Sequence, residues 1–193
     1  MTIERSLLTA SGGGPGGGVP RNYWHGDGIN SHMVAWPMFN AGDTCTMDLE
    51  FITGIDISYL VATNGGGAWV RIQDDKAIDL KNWTVTINGI AYADQSFIPD
   101  NLFDNGLLNH VVMTLASPFS QGRYFAGYGA GGACGGVVAN IEIDILGDIT
   151  KWAIDSGSIV NEAPTEGPAG NMSMVNTVAE DWIFDEHNLA VQS

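Results

Sequence analysis

The segment EIDILGD, which begins at Glu142, combines residue types that could cleave a glycosidic bond. Retaining glycoside hydrolysis uses two carboxyl groups about 5–5.5 Å apart across that bond. Glu142 and Asp144 alternate with isoleucines, which places both on one face of a strand, roughly 6.5–7 Å apart along the backbone. A third acid is missing at the next positions, which hold Leu146 and Gly147. Asp148 follows one residue later, and its side chain is one carbon shorter than that of glutamate. We therefore expect a solvated strand face and no enzymatic activity, with a glycoside hydrolase centred on Glu142 and Asp144 as an alternative.

The four histidines do not indicate a nucleophilic or metal site. A serine nucleophile for His110 would need a tight G-x-S-x-G turn, which the sequence lacks. His25, His32 and His187 show no metal-ligand spacing with one another. We expect His110 to be a packing or hydrogen-bonding residue.

Aspartates at candidate turns are the residues that could bind calcium. Asp74 and Asp75 adjoin each other, and Asp100 and Asp104 each precede an asparagine. No EF-type loop spacing is present, and Asp and Asn also favour turns through local hydrogen bonds. These four are candidate calcium ligands, and we expect no other metal or cofactor.

Two of the six tryptophans are placed where they could stack on a sugar ring. Trp36 precedes a proline, and Trp69 follows a run of three glycines. Trp83 and Trp152 lie in alternating apolar patterns and are expected in the core. Trp36 and Trp69 are therefore the predicted carbohydrate-binding residues.

The elements that position these residues are strands. Residues 44–51 alternate Cys45, Met47, Leu49 and Phe51 with Thr44, Thr46, Asp48 and Glu50. Trp83 begins a similar strand that Asn88-Gly89, a type I′ turn pair, connects to a second strand from Ile90. Ala139, Ile141, Ile143 and Ile145 form a third buried face opposite Asn140, Glu142, Asp144 and Leu146. Further strands are predicted at 57–63, 68–73, 109–116, 123–128 and 179–184. About ten short strands without a sustained helical period indicate a sandwich or barrel.

Composition excludes several function classes. Acidic residues outnumber basic ones 22 to 7, giving a net charge of −15. Nucleic acids and anionic membranes need a Lys/Arg surface that this chain cannot assemble. Glycine accounts for 26 of 193 residues, and only 15% are charged, which is typical of a turn-rich all-β domain.

The N-terminal region is predicted to be an arm. Residues 11–18, SGGGPGGG, form a flexible linker that separates a short tip containing Leu7 and Leu8 from the body. We assign residues 1–21 to a docking arm and residues 22–193 to one domain. The first ten residues show no secretory signal, and the uncharged run 124–141 holds six glycines, which argues against a membrane helix. Cys45 and Cys134 lack metal-ligand neighbours, so both are expected as buried free thiols.

Five segments in order resemble concanavalin A-like, laminin-G-type sandwich domains. They are YWHGDGINS at 23–31, residues 39–51 (which begin FNAGDT and end at Phe51), LNHVVMT at 108–114, GRYFAG at 122–127 and VVANIEI at 137–143. Residues 149–184 resemble the tail that follows such domains in bacteriophage structural proteins. The resemblance implies a two-sheet antiparallel jelly-roll sandwich. The same broad fold hosts retaining glucanases with an E-x-D-x-x-E or E-x-D-x-E strand, whose last acid is missing here.

The resemblance also implies a function and a location. In phages such domains serve as virion surface or receptor-binding modules. We therefore expect a non-enzymatic virion protein (capsid decoration, fibre or tail) made in the host cytoplasm, with host-surface carbohydrate as a candidate ligand. Its partners would be other virion proteins, bound through residues 1–21, and further copies of itself, since virion surfaces are symmetric. A free carbohydrate-binding lectin is the alternative.

Overall fold

The computed structural model describes residues 21–25, 31–35, 38–53, 57–63, 67–117, 123–127, 136–185 and 191–192. These residues form sixteen strands, two single-turn 3₁₀ helices (Asp100–Leu102 and Ala179–Asp181) and no α-helix. The strands are β1 (Arg21–His25), β2 (His32–Ala35), β3 (Thr44–Glu50), β4 (Ile57–Thr63), β5 (Trp69–Gln73), β6 (Ile78–Lys81), β7 (Trp83–Ile87), β8 (Ile90–Tyr92), β9 (Leu108–Leu115), β10 (Arg123–Phe125), β11 (Val137–Ile145), β12 (Asp148–Ala153), β13 (Asn161–Glu162), β14 (Met172–Val175), β15 (Trp182–Asp185) and β16 (Val191–Gln192). The predicted all-β class is confirmed.

Two largely antiparallel sheets form the sandwich. Sheet A has the order β15-β1-β11-β3-β9-β7-β8, with β12 also beside β11 and β16 parallel to β9. Sheet B has the order β13-β14-β2-β10-β4-β5-β6. Most neighbouring strands are separated by other strands along the chain, as expected for a sandwich of jelly-roll type; the consecutive pairs are β4-β5, β5-β6, β7-β8, β11-β12 and β13-β14.

The core lies between the sheets because alternate residues of each strand face inward. From sheet A it takes the odd-numbered residues of β3 (Cys45, Met47 and Leu49), together with Trp83 and Trp152. Sheet B contributes Met33, Val70, Ile72 and Phe125, among others. Trp83 and Trp152 are at most 3% exposed, so their prediction as core residues is confirmed.

The hairpin predicted at Asn88-Gly89 is confirmed. Asn88 has φ 51° and Gly89 has φ 78°, the left-handed pair of a type I′ turn, and β7 and β8 pair on either side of it. Leu146 and Gly147 form an equivalent turn between β11 and β12, with φ values of 56° and 91°. This second turn was not predicted, because leucine is a poor residue for a positive φ.

Residues 149–184 are part of both sheets. The sequence resemblance suggested a tail that follows the domain. Instead, β14 pairs with β2 in sheet B and β15 pairs with β1 in sheet A. A buried hydrogen bond from Trp24 Nε1 to Thr177 Oγ1 (3.2 Å) connects this region to the core. β13 and β14, which were not predicted, are part of the reason that the structure has more strands than the ten expected.

Three local predictions need correction. Ala139 sits in a β-bulge and packs in a small cluster with Tyr23, outside the main core that contains Ile141. Glu50, expected on the polar face of β3, is 7% exposed and accepts a hydrogen bond from the Gly106 N–H. Residues 179–181 form a 3₁₀ turn, so β15 begins only at Trp182.

The described part of the chain has no helix with the length and apolar character needed to span a membrane. The predicted arm, including Leu7 and Leu8, lies outside the described residues apart from its last residue, Arg21, which begins β1.

Candidate functional site

A polar groove of about 380 Å³ crosses the outer face of sheet A. Its side walls and floor come from β3, β9, β11 and β12, and its lining includes Thr46, Asp48, His110, Asn140, Glu142 and Lys151. These residues point outward because their neighbours along each strand are buried in the core. The groove is therefore a direct product of the alternating strand pattern.

Asp48 is the central residue of the groove. Strand register places it opposite His110 on β9 and opposite Asn140 on β11. His110 Nδ1 lies 2.7 Å from Asp48 Oδ1, and Asn140 Nδ2 donates to Asp48 Oδ2 at 2.9 Å. Both carboxylate oxygens are thus held, and the Asp48 side chain is 16% exposed while that of His110 is 46% exposed. The row is rigid at its centre and open to solvent at its histidine end.

The β-bulge in β11 aims Asn140 at Asp48. Val138 lies opposite Leu49 while Asn140 lies opposite Asp48, so β11 uses one extra residue, Ala139, at this step. Bulges of this kind redirect side chains and are frequent beside functional sites. The core contacts of Val138 and Ile141 are kept on either side of the bulge.

A second row holds an ion-paired lysine. Glu142 lies opposite Lys151 across β11 and β12, with Lys151 Nζ 3.2 Å from Glu142 Oε2 and 3.6 Å from Glu166 Oε2. The hydrogen bond and charge of Glu142, followed by the charge of Glu166, raise the pKa of Lys151. Lys151 therefore remains cationic at neutral pH and contributes a fixed positive group to an otherwise acidic groove.

Residues 163–170, which we call the rim loop, border the groove beside β12. Lys151 N–H donates to the Glu166 carbonyl (3.0 Å), and Thr165 N–H donates to the Lys151 carbonyl (2.8 Å). Gly167 packs against β12 so closely that a Cβ there would lie 2.6 Å from Thr150 Cα and closer still to the Ile149 carbonyl oxygen. The loop is thereby fixed against the sheet edge.

Two carboxylates of the segment that suggested a glycosidase make contacts within the protein. Glu142 is paired with Lys151, and Asp144 Oδ1 accepts a hydrogen bond from Gly147 N–H (2.8 Å) in the hairpin turn. Asp148 lies beyond that turn, on β12. The three acids do not line up on one strand, as expected from their spacing.

The predicted carbohydrate-binding tryptophans are not in the groove. Trp69 begins β5 in sheet B, half-buried, and Trp36 lies outside the described residues. Lys81 Nζ lies 4.5 Å from the centre of the Trp69 ring. Trp69 thus lies at the start of β5, within the strand predicted at 68–73.

The predicted calcium ligands make contacts within the protein. Asp74 and Asp75 accept hydrogen bonds from backbone N–H groups of their own turn. Asp100 pairs with Lys76 Nζ (2.8 Å), and Asp104 accepts from Thr53 N–H (3.2 Å). Within the described ranges, no three or more His, Cys, Asp or Glu side chains are grouped to hold a metal ion.

Of the two cysteines, Cys45 is fully buried as a free thiol in β3, and Cys134 lies outside the described residues. Burial, together with the charge of Glu142, raises the pKa of the Cys45 thiol. Burial therefore disfavours the thiolate, which is the reactive form of cysteine.

The residues that carry the groove's polar contacts and were not singled out from the sequence include Asp48, Asn140 and Lys151. Their only signal is that each occupies a polar position in an alternating strand. Their proximity depends on which strands pair and on the bulge at Ala139, and the sequence pattern indicates neither.

Comparisons of the chain with protein-family models, with curated proteins and with solved structures give no match. The resemblance to concanavalin A-like domains therefore rests on the sequence segments given above. The structure supports its coarser content, an antiparallel all-β sandwich.

Proposed function

We propose that the protein is a non-enzymatic structural component of a bacteriophage particle, and that the groove on sheet A binds host-surface carbohydrate. The observation that supports carbohydrate binding is the Asp48 row. Sugar hydroxyls both donate and accept hydrogen bonds, and this row presents a carboxylate, an amide and an imidazole in fixed positions. The volume of about 380 Å³ is near the lower end of ligand-pocket sizes and suits a short saccharide.

Preorganisation of the Asp48 row supports ligand binding. Because Asp48 is held by His110 and Asn140, a ligand hydroxyl would meet an acceptor whose position is already set. Hydrogen bonds to charged groups contribute about 1.5–3 kcal/mol each. Glu142 pairs with Lys151, and Asp144 accepts a hydrogen bond in the hairpin turn, which supports the proposal of a non-enzymatic protein.

Placement on a phage particle is supported by the sequence. The ordered segments resemble phage sandwich domains, and the glycine linker at residues 11–18 could tether the domain to a larger assembly. We propose that residues 1–21 bind another virion protein and that many copies are displayed.

Quantitative mass spectrometry of purified particles tests the location. We expect the protein in the particle, with hundreds of copies indicating capsid decoration and tens or fewer indicating the tail or a fibre. Deletion of residues 1–20 preserves β1, which begins at Arg21, and should abolish particle attachment without changing thermal unfolding. Retained attachment would contradict the docking role of the arm, and absence from particles would leave the free lectin.

Glycan-array binding by the full chain tests the groove. Asp48→Asn removes the central charge at nearly constant shape and should weaken binding at least about tenfold. Thr84→Ala, at an exposed position on β7, is the matched control and should bind like the unaltered protein. Equal binding by both variants would place the carbohydrate elsewhere. Measurable hydrolysis lost in Glu142→Gln would instead establish the glycoside hydrolase.

A further inference from the structure

Five side chains form a cation–aromatic cluster on the outer face of sheet B: Tyr59, Trp69, Arg71, Asp79 and Lys81. Trp69 and Arg71 point outward from β5 because Val70 and Ile72 are buried. Register places Lys81 opposite Trp69 and Asp79 opposite Arg71 on β6. On β4 a bulge between Tyr59 and Val61 leaves Tyr59 opposite Arg71. The cluster is on the other face of the sandwich from the groove.

Each cation in the cluster lies against an aromatic ring. Lys81 Nζ is 4.5 Å from the Trp69 ring centre, while Arg71 Cζ is 5.9 Å from that of Trp69 and 5.8 Å from that of Tyr59. Arg71 Nε pairs with Asp79, and Nη1 donates to the Tyr59 hydroxyl at 3.4 Å. These two contacts fix the plane of the Arg71 guanidinium, and neither of them uses Nη2.

The charge of the cluster is opposite to that of the whole protein. Arg71 and Lys81 are two of only seven basic residues in a chain of net charge −15, and the cluster contains a single acid, Asp79. An anion that also has an apolar face would complement two cations that lie beside two aromatic rings. A guanidinium recognises planar carboxylates, and an aromatic ring packs on the apolar face of a pyranose.

We propose that this cluster is a second binding site, specific for a carboxylate-bearing saccharide. The sugar carboxylate would lie between Arg71 and Lys81, and the sugar ring would rest at the rim formed by Trp69 and Tyr59. The site does not depend on the groove of sheet A or on the particle location proposed above.

Calorimetric titration of the full chain with an oligogalacturonate at physiological ionic strength tests this site. The matched ligand is the same oligosaccharide with its carboxylates methyl-esterified. We expect the acid form to bind at least about tenfold more tightly than the ester. Equal binding of the two forms, or no binding of either, would overturn the proposal.

Three variants locate the binding. Lys81→Gln changes an exposed side chain and should weaken oligogalacturonate binding at least about fivefold, with unchanged urea unfolding. Arg71→Lys keeps the charge but loses the planar fork and should also weaken it. Lys151→Gln removes a cation from the groove on the opposite sheet, so binding at the cluster should not depend on it.

The same variants separate the alternatives. Loss of binding in Lys151→Gln but not in Lys81→Gln would assign the acidic sugar to the groove and refute this site. Equally tight binding of inorganic phosphate or single-stranded DNA, lost in Lys81→Gln, would show a general anion site and would also refute the saccharide assignment.

Discussion

Replacing Gly167 by alanine tests the close packing of the rim loop against β12. The added Cβ would lie 2.6 Å from Thr150 Cα and Oγ1, and the residue has φ +94°, a region that L-residues rarely adopt. The contact atoms are mostly backbone, so no side chain can rotate away to make room. The loop must therefore shift away from the strand.

The loss of stability follows from what that shift breaks. Four hydrogen bonds of 3.3 Å or less hold the loop: Lys151 N–H to the Glu166 carbonyl, Thr165 N–H and Oγ1 to the Lys151 carbonyl, and Ala169 N–H to Thr150 Oγ1. Each of these hydrogen bonds contributes about 0.5–1.5 kcal/mol, so complete detachment of the loop costs about 2–6 kcal/mol. This cost is the upper limit on the loss of unfolding free energy. Left-handed strain alone sets a floor of about 1–2 kcal/mol. We expect a loss of about 2–4 kcal/mol.

Urea unfolding of the full chain measures this loss, and hydrogen exchange of the Lys151 amide reports whether the loop is detached. Gly170→Ala is the matched control, because a Cβ there meets nothing within 4 Å and the backbone is not in the positive-φ region. It should remain within about 0.5 kcal/mol of the unaltered protein. Equal stability of the two variants, with the Lys151 amide equally protected, would refute the packing argument. Gly167→Ala should also weaken glycan binding in the groove, since Thr165 and Glu166 would move.

Three further predictions concern single residues. Leu146→Asn should stabilise the protein by about 1 kcal/mol in urea unfolding. Leu146 is 81% exposed and has φ 56°, a conformation that asparagine tolerates better than leucine. A destabilised variant would show that the leucine side chain has a packing role. Burial raises the pKa of Glu162, which accepts hydrogen bonds from Ser156 N–H (3.2 Å) and Oγ (2.7 Å). The contribution of Glu162 to the free energy of unfolding is favourable below the unfolded-state pKa and is lost as pH rises through the higher folded-state pKa. Glu162→Gln should therefore become more stable relative to the unaltered protein as pH rises from about 4 to 7. A constant difference in unfolding free energy across that range would contradict this. In a Cys134→Ser background, the Cys45 thiol should resist a thiol-specific reagent in buffer and react fully in urea, because it is completely buried; rapid reaction in buffer would show that β3 opens.

Local patterns predicted most of the strands. The alternation of Cys45, Met47 and Leu49 with polar residues placed β3 to within one residue, and Asn88-Gly89 identified the hairpin turn between β7 and β8. These signals succeed because side-chain direction in a strand has a period of two, and a type I′ turn needs residues that tolerate positive φ. The bulge at Ala139 escaped prediction, because inserting one residue shifts the alternation without leaving a compositional sign.

The candidate site was only partly accessible from sequence. Glu142 and His110 were singled out for their chemistry, and both line the groove. Trp69 was singled out as a sugar platform, and the structure places it beside two cations on sheet B, the sheet opposite the groove. A residue's type indicates what it could do, but its neighbours across a sheet come from strands far away in the chain.

The sequence by itself determined the all-β class, the period-two core and the acidic character of the chain. The tertiary structure alone decided that Asp48 meets His110, 62 residues away, and Asn140, 92 residues away. The physical reason is that each strand's alternation fixes only which face a side chain takes. Strand order and register, which fix the partner on that face, arise from long-range pairing and packing of the whole sandwich.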